Sequence, residues 1–187
     1  SISYYDSSNA QVVKPPKPEI TRLIPHGMRR GEVTRLLVEG THLHGAESIR
    51  FESDALQAAM VPNGIKTETQ LEILVFSKQS LPLGAHSLQV STQQGDSNKL
   101  KLHIDHLPQV SEESQSLSNV QPSNALPLNI WGRITSAGQE DKFRFEAKKG
   151  QGLVFDAAAN SLGSKADIVI SLNNHDGQPL ASSQSFD

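Results

Sequence analysis

The sequence predicts an all-β chain that forms two tandem β-sandwich domains. Short runs of residues alternate apolar and polar side chains with the period of two that a half-buried strand requires, and Gly, Pro, Asn or Ser bounds each run. No window of a dozen residues carries the apolar stripe of a helix. The length of 187 residues favours two modest cores, because a single domain usually has about 100 to 150 residues.

An extended leader is predicted at residues 1–17, where a polar stretch ends in the proline-rich run KPPKPE that favours polyproline geometry. A first domain is predicted at residues 18–106. Its closing hairpin turns at Gly95 and the three polar residues that follow, because such a turn needs positive φ or side-chain capping. Its strands are predicted in the runs EITRLIP, GEVTRLLVEG, SIRFES, QLEILVFS, AHSLQVSTQ and NKLKLHID.

The alternation in these runs also predicts which side chains are buried, because successive residues of a strand point to opposite faces of the sheet. In the last run it leaves Lys99, Lys101 and His103 facing water. The predicted core positions of the first domain are Ile49, Phe51, Leu71, Ile73, Val75, Leu88, Val90, Leu100, Leu102 and Ile104.

A linker is predicted at residues 107–125, where the alternation stops and Ser, Glu, Asn and Pro accumulate. Such a composition buries too little apolar surface to fold by itself. A second domain is predicted at residues 126–187, with strands in the runs LPLNIWGRI, DKFRFEA, QGLVFDAAA and ADIVISLNN.

The middle two of these runs are predicted to form a hairpin. Phe143 and Phe145 fall on one face of the first run, so they are assigned to the core. Gly150 allows the left-handed conformation of a tight turn, and the second run brings Leu153 and Phe155 back to the same core.

The first domain resembles the TIG family of immunoglobulin-like domains. The resemblance rests on the stretch PEITRLIPHGMRRGEVTRLLVEGTHLHGAESIRF and on LPLGAHSLQVSTQQGDSNKLKLHI as the closing hairpin. It implies an immunoglobulin-like sandwich of about seven strands. Domains of that family act as spacers, as protein-binding modules or, next to glycosidases, as carbohydrate-side appendages. The matching positions are Pro25, Gly31, Gly40, Leu43 and Gly45.

Residues 126–187 resemble the first two thirds of the bacterial pre-peptidase C-terminal domain family. The resemblance rests on the ordered pieces GRI, QEDKFRF, AKKGQ, LGS, ADIVISL and DGQPLA. It implies an incomplete jelly-roll-like sandwich, accessory and not catalytic, in a secreted or envelope-located bacterial protein. Because the family pattern continues past Asp187, the chain is expected to belong to a longer protein or to be completed by another chain.

Composition excludes several classes of partner. A net charge of -3, with Lys and Arg scattered among acids, gives no basic surface of the kind that binds nucleic acid. No apolar run approaches the roughly 20 residues that cross a bilayer, so membrane insertion is not predicted. The sequence has no cysteine, which removes disulfides, thiolate nucleophiles and cysteine-based zinc sites. No cofactor is predicted.

Two groups of residues are candidate metal ligands, and the sequence leaves open whether either of them binds a metal. His42 and His44 would share a face if they lay in a strand, which suits zinc or nickel. His103 and His106 are assigned to the end of an exposed strand. The calcium candidates of the second domain are Glu140 and Asp141, joined by Asp156 or Asp167.

Aromatic and basic residues supply the remaining candidates. Trp131, Tyr4 and Tyr5 are candidates for stacking on a ligand such as a sugar ring. The pair Arg29 and Arg30 is predicted at a loop tip, as solvated surface or as a partner contact. The run NNHDGQP is predicted to be a hairpin turn.

The sequence predicts a protein without catalytic activity, since neither a nucleophile elbow nor a His-Glu-x-x-His helix is present. The predicted function is a spacer or binding segment of a larger secreted, periplasmic or cell-envelope protein, which recognises protein or polysaccharide. One alternative is the accessory part of a hydrolase or redox enzyme whose catalytic domain lies outside this chain. Another is a calcium-dependent carbohydrate-binding module.

Overall fold

The computed structural model describes residues 15–112, 126–158 and 167–184. Within these ranges the chain forms thirteen strands and no helix, so the prediction of an all-β protein is confirmed. In the same three ranges, no segment has the length and helical hydropathy of a membrane span. Most of the predicted leader and residues 113–125 of the predicted linker lie outside the described residues.

The first nine strands build a β-sandwich of two sheets. One sheet has the strand order β1-β3-β6-β5 and is antiparallel throughout. The other has the order β2-β9-β7-β4, with β8 paired to β7, and its β2 runs parallel to β9. The bounds are β1 (Glu19–Ile24), β2 (Gly27–Arg29), β3 (Val33–Thr41), β4 (Ala46–Phe51), β5 (Leu56–Met60), β6 (Gln70–Ser77), β7 (Gly84–Thr92), β8 (Gly95–Asp96) and β9 (Leu100–Asp105).

Alternate side chains of both sheets fill the space between them. In the four-stranded sheet Leu36 of β3 lies opposite Ile73 of β6, and both are fully buried. The alternation therefore predicts the core correctly on the long strands, where one face must leave water. Of the predicted core positions, Leu71, Ile73, Val75, Leu88, Val90, Leu102 and Ile104 are buried, and Ile49, Phe51 and Leu100 pack against the same cluster with partial exposure.

The turn after β7 differs from its prediction. The chain reverses at Gln93, because Thr92 already pairs with Gly95 of β8, so the tight turn precedes the predicted one. Gly95 does adopt a positive φ of 125°. The next residues hold the edge of the fold together: the Ser97 hydroxyl accepts from the Val90 amide at 2.9 Å.

No alternation in the sequence predicts β2 or β5. β2 has only three residues, too few for an alternation to be recognised. β5 carries alanine on both faces of the strand, so its apolar and polar sides do not contrast.

Two short strands connect the sandwich to the second half of the chain. They are β10 (Gln109–Ser111) and β11 (Asn129–Trp131), and they pair in parallel. β10 lies inside the segment predicted to be a linker, because its three residues show no alternation that would predict a strand. The predicted domain boundaries stay a prediction.

The described part of the second half adds one regular hairpin. β12 (Val169–Asn173) pairs antiparallel with β13 (Pro179–Gln184). The turn between them is the predicted one: Asn174 donates to the Gln178 carbonyl at 2.9 Å and Gly177 has a φ of 80°. Closure of these strands into a jelly-roll-like sandwich stays a prediction.

The hairpin predicted around Gly150 is formed only in its turn. Gln151 donates to the Lys148 carbonyl at 3.0 Å, and the rings of Phe145 and Phe155 lie 5.4 Å apart. Residues 132–158 contain no strand. The alternation in this segment favours burial of one face, but it does not specify which other strand would pack against that face. A two-stranded hairpin without such a neighbour is only marginally stable in water.

Candidate functional site: the Trp131 joint and the outer face of the four-stranded sheet

Trp131 connects the sandwich to the chain that follows it. Met28 and Ile104 pair across β2 and β9 with both side chains in the core, so their neighbours Gly27 and His103 face outward. The Trp131 ring lies on this outward surface. We call the set His26, Gly27, His103, Gln109 and Trp131 the Trp131 joint.

Two imidazoles and a glycine hold the indole ring. The ring of His26 stacks at 6.2 Å between centroids with an interplanar angle of 24°, and that of His103 lies at 5.8 Å and 38°. Gly27 leaves the necessary space, because a Cβ there would come within 2.3 Å of the Trp131 Cζ2 atom. The indole Nε1 donates to Oε1 of Gln109, so its polar edge is also satisfied.

Hydrogen bonds at both ends of β11 hold this strand in place. The Glu112 amide donates to the Trp131 carbonyl at 2.8 Å, and the Asn129 amide donates to the Pro108 carbonyl at 2.9 Å. The Asn129 side chain also donates from Nδ2 to Oδ2 of Asp105 at 3.1 Å. The joint therefore combines ring packing with a short ladder and a side-chain bond to β9.

Both histidines of the joint are biased toward the neutral form. Burial lowers the pKa of His26, and the positive charge of Arg22 and the neighbouring His103 lower it further. Burial also lowers the pKa of His103, with Lys101 adding to the effect. His26 is nevertheless an exposed residue, so burial lowers its pKa less than it would in the core. His103 points outward, as predicted, but it is only partly exposed because the ring of Trp131 lies against it.

Asp105 of β9 places a carboxylate beside the Trp131 joint. Burial alone would raise its pKa, but the amides of Leu107 and His106 and the side chain of Asn129 donate to the carboxylate and bring the pKa below its usual value. Asp105 therefore remains ionised and is already saturated with donors from the protein.

The outer face of the four-stranded sheet is a second surface with apolar exposure. Val33 of β3 lies opposite Phe76 of β6, and they are 57% and 40% exposed. Next to them the Arg35 Nη1 atom lies 2.7 Å from Oε1 of Glu72. We call Val33, Arg35, Glu72 and Phe76 the outer face; its ring and aliphatic groups suit contact with a partner.

The structure does not place His42 and His44 in a strand. β3 ends at Thr41, His42 has a φ of 56°, and Leu43 between the two histidines is fully buried. The Nδ1 atom of His42 lies 3.7 Å from the Glu68 carboxylate. Among the described residues no three His, Asp or Glu side chains gather in a way that could hold a metal ion.

The acids considered for calcium are engaged with local partners. Gln139 donates to the Asp141 carboxylate at 3.0 Å, and Glu140 lies 3.5 Å from the Lys142 ammonium group. Asp156 and Asp167 are both exposed, and they do not complete a cluster with this pair in the described part of the chain.

The remaining candidates have different outcomes. Tyr4 and Tyr5 lie outside the described residues. Arg29 and Arg30 line a surface depression of about 260 Å³ with Glu32, Gln79 and His106. Both guanidinium groups bond within the chain, Arg29 to Glu32 at 3.1 Å and Arg30 to the Leu81 carbonyl at 3.3 Å.

Sequence reasoning singled out Trp131 but not its partners. His26 and Gln109 were not recognised, because each lies outside a predicted strand and only the fold brings them to the indole ring. The one available signal was the glycine that follows His26, which permits a close approach of another group to the backbone.

Comparisons with known proteins give distant structural matches only. No family model matches the chain, and no curated protein matches it. The Bacteroides ovatus mixed-linkage glucan utilization locus protein SGBP-B, solved with a mixed-linkage heptasaccharide, aligns with 12% identity and a TM-score of 0.33 over 54% of this chain. The chain spans 24% of that protein. Domains 5-6 of the S-layer protein SbsC align with 9% identity and a TM-score of 0.33, over 87% of this chain and 82% of theirs.

Proposed function

We propose that this chain is a non-catalytic spacer of a larger secreted or envelope-located protein, and that the Trp131 joint holds successive β-domains in one fixed relation. The observation that carries the proposal is the packing of Trp131 against His26 and His103 on the outside of the first sandwich. A flexible connection would leave such a ring in water, whereas here it packs against two imidazole rings and its Nε1 atom donates to Gln109.

The resemblance of the two halves to TIG and pre-peptidase C-terminal domains supports the same role. Members of both families serve as accessory domains of larger proteins, and an accessory domain needs a defined orientation toward its neighbours. We also propose that the protein is exported to the periplasm, the cell envelope or the medium, because the same resemblance implies this location.

Small-angle X-ray scattering on the whole chain tests the spacer role. We expect Trp131→Ala to increase the radius of gyration and broaden the distribution of interatomic distances, because the second half loses its contact with the first. Phe76→Ala is the matched control, since Phe76 is an exposed ring on the other sheet. If the scattering of Trp131→Ala matches that of the wild type and the control, the joint does not orient the domains.

We assign recognition of protein or polysaccharide to the outer face, because Val33 and Phe76 lie opposite each other there and both are exposed. Titration calorimetry with a panel of soluble glycans, with and without calcium, separates this role from that of a pure spacer. Heat that disappears in Phe76→Ala supports glycan binding at the outer face. Heat that requires calcium and persists in Phe76→Ala favours the calcium-dependent alternative at another site.

A further inference from the structure

We propose that the Trp131 joint is sensitive to pH: it is closed while His26 and His103 are neutral, and it opens when these imidazoles take up protons. This inference rests on the proposed spacer function and adds a condition under which the two halves of the chain separate.

The first argument is the position of the two histidines. They lie against the same indole ring, and His103 contributes to lowering the pKa of His26. Two imidazolium groups held there would repel each other, and each would lose part of its hydration. Opening the joint returns both groups to water.

The second argument is the charge on the surrounding elements. Arg22 lies near His26 and Lys101 near His103, and both disfavour a second positive charge. The nearby carboxylates already accept hydrogen bonds, Asp105 from Asn129 and Glu112 from the Arg133 amide. The charged side chains on β1, β2, β9, β10 and β11 or directly beside them are Glu19, Arg22, Arg29, Arg30, Lys99, Lys101, Asp105, Glu112 and Arg133, and the titratable His106 follows β9.

One effect opposes opening. An imidazolium over an indole face gains a cation–π attraction, which is weak at an exposed site. Burial and the neighbouring positive charges act in the other direction, and together they lower both pKa values, so the neutral form is the one that fits the joint.

The sign of the pH dependence follows from these directions. In the open joint both histidines titrate near the ordinary value of about 6.5, and in the closed joint they titrate below it. The closed form is therefore fully favoured above about pH 6.5 and loses stability as the pH falls through the window between the two values. Each unit of pKa lowering corresponds to about a tenfold weakening of the joint at full protonation.

Fluorescence of Trp131 provides the test, because it is the single tryptophan of the sequence. The emission maximum and the acrylamide quenching constant are followed from about pH 7.5 to about pH 5, the range in which histidines titrate. We expect a red shift and a rise in quenching for the wild type, and no such step for the double variant His26→Gln/His103→Gln. His44→Gln is the control, since His44 is exposed and distant from the ring in the sequence; it should behave like the wild type.

NMR titration of the wild-type histidines gives a second readout that does not depend on how the variants fold. His26 and His103 should titrate below the ordinary histidine value of about 6.5. The proposal is overturned if they titrate at or above that value, if the emission of the wild type does not shift, or if the same step persists in the double variant.

The failure of this inference is distinguishable from that of the spacer function. If Trp131→Ala changes the scattering at neutral pH but the fluorescence of the wild type is independent of pH, the joint is a spacer without a switch. If Trp131→Ala leaves the scattering unchanged at neutral pH, the spacer function itself fails.

Discussion

Asn98 joins the two sheets of the sandwich through the backbone of Ile20. Its Oδ1 atom accepts from the Ile20 amide and its Nδ2 atom donates to the Ile20 carbonyl, both at 2.8 Å. Ile20 belongs to β1 of the four-stranded sheet, whereas Asn98 precedes β9 of the five-stranded sheet. One side chain beside the five-stranded sheet therefore bonds both backbone groups of a residue in the edge strand of the other sheet.

Replacing Asn98 by alanine should lower the free energy of unfolding by about 1 to 3 kcal/mol, because it leaves a partly buried amide and carbonyl of Ile20 without partners. Urea denaturation measures the change. Lys99→Ala is the adjacent control: it removes only the exposed ion pair with Glu52 and should change stability much less than Asn98→Ala. Equal losses for the two variants would contradict the role of the Asn98 amide.

Core and surface positions of the same strand should respond differently to truncation. Leu36→Ala removes a fully buried side chain of β3 and should cost about 2 to 5 kcal/mol of unfolding free energy. Val33→Ala, at a position 57% exposed on that strand, should stay within about 0.5 kcal/mol of the wild type. Urea denaturation compares them, and a small loss at Leu36 would place the core elsewhere.

Gly27→Ala should displace the indole ring without unfolding the sandwich. The added methyl group would lie 2.3 Å from the Trp131 Cζ2 atom and 3.0 Å from the His103 carbonyl oxygen. We expect red-shifted tryptophan emission at neutral pH. Gly152→Ala is the control, because a Cβ there meets nothing within 4 Å and its emission should not change. Unchanged emission of Gly27→Ala would show that the ring does not rest on this glycine.

Hydrogen exchange should reveal the ladder between β10 and β11. In the wild type the amides of Glu112 and Asn129 are bonded across this ladder and should exchange slowly. In Trp131→Ala both should exchange faster, while the amides of β3 and β6 keep their protection. Phe76→Ala should leave all of them as in the wild type. Fast exchange at Glu112 and Asn129 already in the wild type would argue against the ladder.

The sequence was informative where a strand is long and half-buried. Leu71, Ile73 and Val75 are separated by polar or more exposed neighbours, and this alternation follows directly from the need to bury one face. The same reasoning failed at Phe143, which is 39% exposed in a segment without strand pairing. Periodicity records a face that burial would favour, but it does not say which other strand covers that face.

The joint could be predicted only in part for a related reason. Trp131 is conspicuous as the single tryptophan, whereas its hydrogen-bond partner Gln109 is 22 residues away and looks like an ordinary linker residue. Contacts between distant segments depend on how strands cross, and the parallel pairing of β2 with β9 and of β10 with β11 leaves no short-range pattern.

The parallel direction of β10 and β11 has a mechanical consequence. The sandwich leads into the start of β10, and the second half leaves from the end of β11. Tension along the chain would pull these two strands past each other lengthwise, so the Asn129 and Glu112 bonds would bear the force together and not one after the other. In a single-molecule pulling experiment, we expect the bonds of this ladder to break together in one step.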